Sequence, residues 1–489
     1  MPLLNQIDQW GRLHPEHLAH RSDDRTLTYG ELLTRSNALA SRLEAELGDN
    51  RSPIAIHGHK EPEMLVAFLG VVKSGRPYVP IDRSIPPARV TRITQAAGTS
   101  ITLTPTEIDL WSQPHPNSHA PLPKPVSGQD PFYILFTSGS SGEPKGVVIT
   151  LANLECFVDW ILTEHQFPSS SETFLNQAPF SFDLSVMDLY ASLATGGTLF
   201  SITQSDIGNF KSLYAKFASS KITTWVSTPS FAQICLAERT FAEPLLPNLQ
   251  RFLFCGETLS TEVASQLLHR FPKAEVWNTY GPTEATVATT SIQITPSILN
   301  QGSPLSIGRP MPGTRVLILN PLDHIVPEGE RGEIVIVGPN VSPGYLGRPD
   351  LNAQAFRPFE GAPAYHTGDW GRTRQGHLFF EGRQDNQVKL HGYRIELGDL
   401  EANLRSLPEI ADAVVLPLEK DGQIESLVAV VILTDQSLST DFIRTAEIKK
   451  RLSQRIPTYM VPRKFLYLPS FPITSNGKTD RRKLAELLP

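Results

Sequence analysis

Cysteine is scarce in this chain of 489 residues: three occur, Cys156, Cys235 and Cys255. The number is odd and no C-x-x-C pair is present. That argues against a disulfide framework and a structural zinc site, and it fits a reducing cytosol. Long apolar runs are also missing. No stretch approaches the roughly 18 uncharged apolar residues of a membrane-spanning helix, so no stable membrane insertion is expected. The first residues, Met-Pro-Leu-Leu-Asn-Gln-Ile-Asp, lack a basic segment followed by an apolar one, so no signal peptide is read and a cytoplasmic location is expected. Nor is there a long basic run; the formal net charge is −6, which argues against nucleic acid or an anionic membrane surface as partner. Charged residues are 19% and hydrophobic ones 40%, the balance of a folded chain. The 41 prolines are numerous but dispersed through loops.

The length allows two or more domains. Apolar residues at 32, 33, 39, 40, 43 and 47 predict a helix over 31–47, and 62–73 reads as another. Pro53–Ile56 and Tyr78–Asp82 read as a strand and as a strand or turn. Alternation of strand and helix predicts a mostly parallel α/β sheet. Residues 112–130, rich in Pro, Ser and His, read as a surface linker.

The most informative stretch is Phe132 to Gly146. An apolar strand, Phe132–Phe136, breaks into Thr137-Ser138-Gly139-Ser140-Ser141-Gly142, followed by Glu143, Pro144, Lys145 and Gly146. Glycine permits close backbone approach, so several N–H groups can line one concavity; hydroxyls add donors and Lys145 adds charge. Such a loop suits a polyphosphate. It is not the P-loop pattern, because Lys145 is followed by Gly146 and a second strand, Val147–Ile149, and no helix opens there. A flexible Ser/Gly hairpin turn is the alternative.

Downstream, 151–163 and Ser185–Leu193 are predicted helices. Asp183 stands before the second, where a carboxylate either caps the helix or holds an ammonium in an apolar pocket. Further α/β units follow at Thr223–Val226, Arg251–Glu257 and Glu275–Glu284; in the last two an apolar strand ends in a Gly-containing polar turn, at Gly256 and Gly281. Ligands of open α/β sheets sit beyond the carboxyl ends of strands, so the glycine loop, the Cys255 turn and the Tyr280 turn are candidates for one site, or else three unrelated turns. From about residue 305 short strands at Arg315–Leu319 and Glu333–Val337, followed by Gly344-Tyr345-Leu346-Gly347, predict a small antiparallel β subdomain. The polar Gln384-Asp385-Asn386-Gln387 reads as a hinge. Beyond it 399–406 and 480–488 are predicted helical, 446–455 is amphipathic, and Ala413–Leu416 and Leu427–Leu433 are extended.

Five motifs occur together: the glycine loop, Asn278–Glu284, Tyr365-His366-Thr367-Gly368-Asp369, Gly382–Glu396, and Asn476-Gly477-Lys478. In that order they resemble the adenylate-forming superfamily of acyl-CoA synthetases, luciferases and peptide-synthetase adenylation domains, over nearly the whole chain. Asn176–Tyr190, Phe254–Glu257 and Glu284–Ala288 are most similar to the ligases of that superfamily that load D-alanine onto a small carrier protein. The resemblance implies a large α/β N-terminal domain with a small β subdomain, 1–384, and a small mobile α+β C-terminal domain, 385–489. It implies ATP and Mg²⁺, formation of D-alanyl adenylate, and transfer to the phosphopantetheine thiol of a carrier protein, for D-alanylation of teichoic acid.

By the same resemblance Lys478 is the catalytic cation. Thr137, Ser138 and Lys145 hold phosphate. Asn278, Thr279, Tyr280, Gly281, Pro282 and Thr283 contact adenine and phosphate. Asp369 accepts the ribose hydroxyls, Arg383 supports ribose or phosphate, and Glu284 binds Mg²⁺. Asp183 and the Val287 carbonyl receive the substrate ammonium, with Lys478 at its carboxylate, while Met187 and Cys255 narrow the pocket. Asp385 is the hinge and Gly392 lines the pantetheine path. Loading of L-alanine or glycine onto a peptide-synthetase carrier is the alternative function. An acyl-CoA synthetase is disfavoured by Asp183, since fatty acids carry no ammonium.

Overall fold

Apolar strands buried on both faces organise the chain, as parallel sheets covered by helices require. The computed structural model describes residues 1–113, 123–139, 143–168, 172–385, 387–390, 392–420, 423–434, 441–473 and 479–488. It divides into two compact units. The first comprises Met1–Asp82, Ala97–Leu135 and Gly146–Gln384; the second comprises Arg83–Ala96, Phe136–Lys145 and Asp385–Pro489.

In the first unit a sheet of nine strands among the described residues carries six parallel neighbours in the order Glu275–Tyr280, Arg251–Phe254, Thr224–Ser227, Thr173–Asn176, Thr198–Ser201 and Leu18–Ser22. Antiparallel strands close both ends: Thr290–Gln293 with Arg309–Pro310 at one, and Arg25–Thr28 at the other. A second sheet has the order Gly344–Tyr345, Lys145–Thr150, Pro131–Thr137, Tyr78–Asp82, Ile54–Gly58 and Thr102–Leu103. Helix Pro62–Lys73 packs on the second sheet and helix Leu184–Thr195 on the first, and both are buried at every position. Their side chains share one apolar cluster with residues from both sheets, including Phe68, Tyr78, Phe132, Phe174 and Met187.

Local chemistry sets the helix ends. Thr28 and Glu31 form a reciprocal capping box at the start of Tyr29–Leu47, and Thr150 and Asn153 do so for Leu151–His165. Proline opens Pro62–Lys73, where its missing N–H costs nothing. Gly196, in the left-handed conformation, ends Leu184–Thr195.

A separate antiparallel sheet runs Arg315–Leu319, Gly332–Val337, Ala364–Arg374, His377–Arg383, the small β subdomain that the short strands Arg315–Leu319 and Glu333–Val337 predict. Gly344–Tyr345 is not part of it; this pair hydrogen-bonds to Val147–Val148 in the six-stranded sheet. Such long-range pairing has no local sequence signal. The second unit contains the hairpin Gln387–Leu390/Tyr393–Glu396 and a three-stranded sheet of Ile410–Lys420, Gln423–Leu433 and Lys464–Tyr467. Helix Leu397–Arg405 and helix Asp441–Leu452 contribute to its core through Leu400, Leu404, Ile448 and Leu452. No helix among the described residues is long and apolar enough to cross a membrane.

Candidate functional site

The carboxyl ends of Thr173–Asn176, Arg251–Phe254 and Glu275–Tyr280 feed the loops that carry most of the predicted site. Two of the three predicted turns meet directly. Thr279 Oγ1 donates to the Phe254 carbonyl (2.9 Å), and the Cys255 thiol donates to the Val287 carbonyl (3.6 Å). Asn278 turns inward and donates to the Ser306 carbonyl at 2.8 Å. Gly281 is required by space, because a Cβ there would lie 2.6 Å from Ala288 Cα. Thr137, Ser138 and Lys145 belong to the second unit and are described with it.

Asp183 occupies the cap position of helix Leu184–Thr195, yet its side chain makes no capping bond. Its Oδ2 instead accepts the Thr283 hydroxyl at 2.6 Å, across 100 residues of sequence. A half-buried carboxylate is thus fixed beside the turn that carries Glu284. Met187, Cys255 and Val287 are buried in the same apolar cluster, and Cys255 is in no disulfide. The buried thiol faces a carbonyl and packs as a small apolar group.

A second cluster joins Tyr280, Asp369 and Arg383. The Tyr280 hydroxyl donates to Asp369 Oδ2 (2.5 Å) and the Arg383 guanidinium to Oδ1 (2.5 Å). Asp369 lies within strand Ala364–Arg374, not on a turn, and Arg383 ends the paired strand His377–Arg383. Burial, followed by the neighbouring Asp369 charge, drives the Tyr280 phenol well above its ordinary value, so it remains a donor at all ordinary pH. The ring of Tyr280 sits 6.2 Å from that of Phe380.

Glu284 is fully buried, and its Oε1 accepts the Tyr345 hydroxyl at 2.7 Å. No group of three or more His, Cys, Asp and Glu side chains able to hold a metal occurs among the described residues. A Mg²⁺ shared with substrate phosphates takes only one or two carboxylates, so a single buried glutamate fits that ion and not a self-contained metal cage. The sequence gives no sign of Tyr345's role, because its bond is to a glutamate 61 residues away. Lys60 was missed as well. It is 2% exposed and donates to Asn176 Oδ1 and the Ala178 carbonyl, supporting the segment that leads to Asp183. Nothing local in the sequence marks a lysine as buried.

In the second unit Thr137 Oγ1 is buried with no hydrogen-bond partner among the described residues. Ser138 Oγ donates to the Arg394 carbonyl (3.1 Å) and accepts from Glu396 N–H (3.0 Å). Lys145 Nζ lies 3.9 Å from a Glu396 carboxylate oxygen. Asp385 accepts the Gln387 N–H at 3.1 Å. Gly392, at φ +83°, lies between the two strands of the hairpin, in the conformation that favours glycine. Lys478 lies outside the described residues.

Residues 7–346 match the AMP-binding enzyme family and residues 399–478 the AMP-binding enzyme C-terminal domain. The chain is 46% identical over 499 aligned positions to a D-alanine–D-alanyl carrier protein ligase of Bacillus cereus, covering 99% of both chains. Identity to the protein of that name in Bacillus anthracis is also 46%, again with 99% of each covered. The structure resembles the adenylation domain AlmE of Vibrio cholerae, solved with glycyl-adenosine-5'-phosphate, at a TM-score of 0.84, 22% identity, and coverage of 99% of this chain and 97% of that one. This chain therefore belongs to the AMP-binding enzyme family, with the proteins named D-alanine–D-alanyl carrier protein ligase among its full-length relatives.

Proposed function

We propose that this chain activates D-alanine with ATP as D-alanyl adenylate and passes the aminoacyl group to the phosphopantetheine thiol of a small carrier protein, in service of teichoic acid D-alanylation. One observation carries the reading beyond family membership: the Asp183 carboxylate is held by Thr283 on the turn of Glu284 and Val287. An ammonium placed between Asp183 and the Val287 carbonyl meets one full and one partial negative charge in an apolar surround, where attraction is strengthened. The nearby bulk of Cys255 and Met187 suits a methyl-sized side chain.

A carboxylate attacking an α-phosphate must overcome repulsion between anions, so positioning and charge neutralisation carry the rate. Asp369, oriented by Tyr280 and Arg383, receives the ribose hydroxyls. Glu284, oriented by Tyr345, would hold Mg²⁺, which when bound neutralises phosphate charge. Thr137, Ser138 and Lys145 receive phosphate, and Lys478 supplies the cation beside the reacting carboxylate. Rotation about Asp385 then admits the pantetheine arm along Gly392. The full-length relatives' name supports both D-alanine and the carrier protein.

Loading tests this reading. Radiolabelled D-alanine, ATP and a phosphopantetheine-bearing D-alanyl carrier protein should give a thioester that hydroxylamine cleaves. Adenylate formation with no thioester on any such carrier would overturn the second half-reaction.

A further inference from the structure

The turn after Glu284 is strained, and one buried side chain holds it. Thr286 and Val287 both have positive φ, +58° and +69°, which β-branched residues rarely adopt. The Ala288 N–H donates to the Thr286 carbonyl at 2.9 Å, closing a three-residue turn with Val287 at its corner. Strain of this kind persists only when the surroundings over-determine it. Asn340 does so here. It has 0% exposure; its Nδ2 donates to the Ala285 carbonyl and to Thr289 Oγ1, both at 3.0 Å. Its own backbone carbonyl accepts the Thr286 hydroxyl at 2.8 Å, and its Oδ1 accepts from Thr314. Two residues on, Ser342 N–H donates to the Glu284 carbonyl at 2.9 Å. The segment is braced from behind by Asn153, whose Nδ2 donates to the Pro339 and Val341 carbonyls.

We propose that Asn340 is a positioning residue for amino-acid selection: it locks the strained Thr286–Val287 corner so that the Val287 carbonyl stands at a fixed distance from the Asp183 carboxylate. The inference rests on the assignment of that carbonyl to the substrate ammonium. Ordinary loop packing would not need a side chain bonded to both flanks of a corner while its backbone holds the centre. With the lock released, the corner relaxes toward negative φ and the carbonyl turns away.

The test compares Asn340→Ala and Thr286→Val with wild type in amino-acid-dependent ATP–pyrophosphate exchange. Thr286→Val removes only the hydroxyl bonded to Asn340 and keeps the β-branched shape. The KM for the amino acid should rise about tenfold or more in Asn340→Ala and less in Thr286→Val, with the KM for ATP within about twofold and the preference between D- and L-alanine reduced. A variant that melts earlier yet keeps the amino-acid KM and the D/L ratio would show a merely structural role and overturn the proposal. If Asn340→Ala does not fold, Thr286→Val decides alone by the same two readouts. Should wild type prefer another amino acid, the D-alanine reading fails while the KM for that amino acid still decides on Asn340. A wild type that exchanges with none would overturn both.

Discussion

Replacing Asp369 with asparagine is a change of one atom type whose consequence follows from its two partners. The carboxylate accepts Tyr280 on one oxygen and Arg383 on the other. An ionised carboxylate offers about four lone-pair sites, so about two remain, the number that two ribose hydroxyls need. The amide keeps one acceptor oxygen and turns an NH₂ toward either the phenol or the guanidinium, both donors. One ribose bond is then lost and the other no longer meets a charge. Hydrogen bonds to charged groups are worth about 1.5–3 kcal/mol each, which predicts a rise of about 10- to 100-fold or more in the KM for ATP. The Arg383–Asp369 pair is largely shielded, with side-chain exposures of 13% and 4%, so the variant should also melt earlier. Steady-state exchange with ATP and with 2'-deoxyATP separates the two effects. Wild type should discriminate against the deoxynucleotide, and Asp369→Asn should discriminate less. An unchanged KM for ATP with full discrimination retained would refute the ribose assignment.

Three further outcomes are expected. Cys255→Ala should relax the preference for D-alanine over L-alanine, by no more than the roughly 1–3 kcal/mol that small changes of pocket volume deliver; a D/L ratio of kcat/KM equal to wild type would remove Cys255 from enantiomer choice. Gly281→Ala should be strongly destabilising, since its Cβ would press on the Ala288 backbone at 2.6 Å, and calorimetry showing an unshifted Tm would contradict the tight approach. Burial pushes the Lys60 ammonium down to about 7, opposed by the charges of Asp188 and Asp82. The unfolded chain therefore holds that proton up to about 10.5 while the folded chain releases it near 7, so stability should climb with pH across that window, and the climb should be smaller in Lys60→Met. Parallel stability–pH curves for the two proteins would refute it.

The alternating pattern made much of the parallel sheet legible, because strands such as Ile54–Gly58 and Arg251–Phe254 are short apolar runs punctuated by turn residues. The amphipathic segment 446–455 overlaps a helix that spans Asp441–Leu452. Its buried residues, Ile448 and Leu452, fall inside the amphipathic segment, while the exposed Phe442 and Ile443 of the first turn add nothing to the apolar face, so only the bounds shift. The candidate site could be proposed from sequence where motif residues are contiguous, as in Asn278–Glu284. It was illegible where partners are far apart in sequence. Asn340 reads as a loop residue after a Gly-Pro pair, and only the folded chain brings it to Ala285 and Thr289, 55 and 51 residues away. Lys60 and Tyr345 were missed for the same reason: their roles reside in long-range bonds, and residue type alone points Lys60 to solvent.

The most direct test of the central claim is ATP–pyrophosphate exchange with D-alanine, L-alanine, glycine and D-serine compared side by side. The account predicts the highest kcat/KM with D-alanine, and loss of that exchange in Asp183→Ala. Exchange led by L-alanine or glycine, or D-alanine exchange that survives Asp183→Ala, would contradict it.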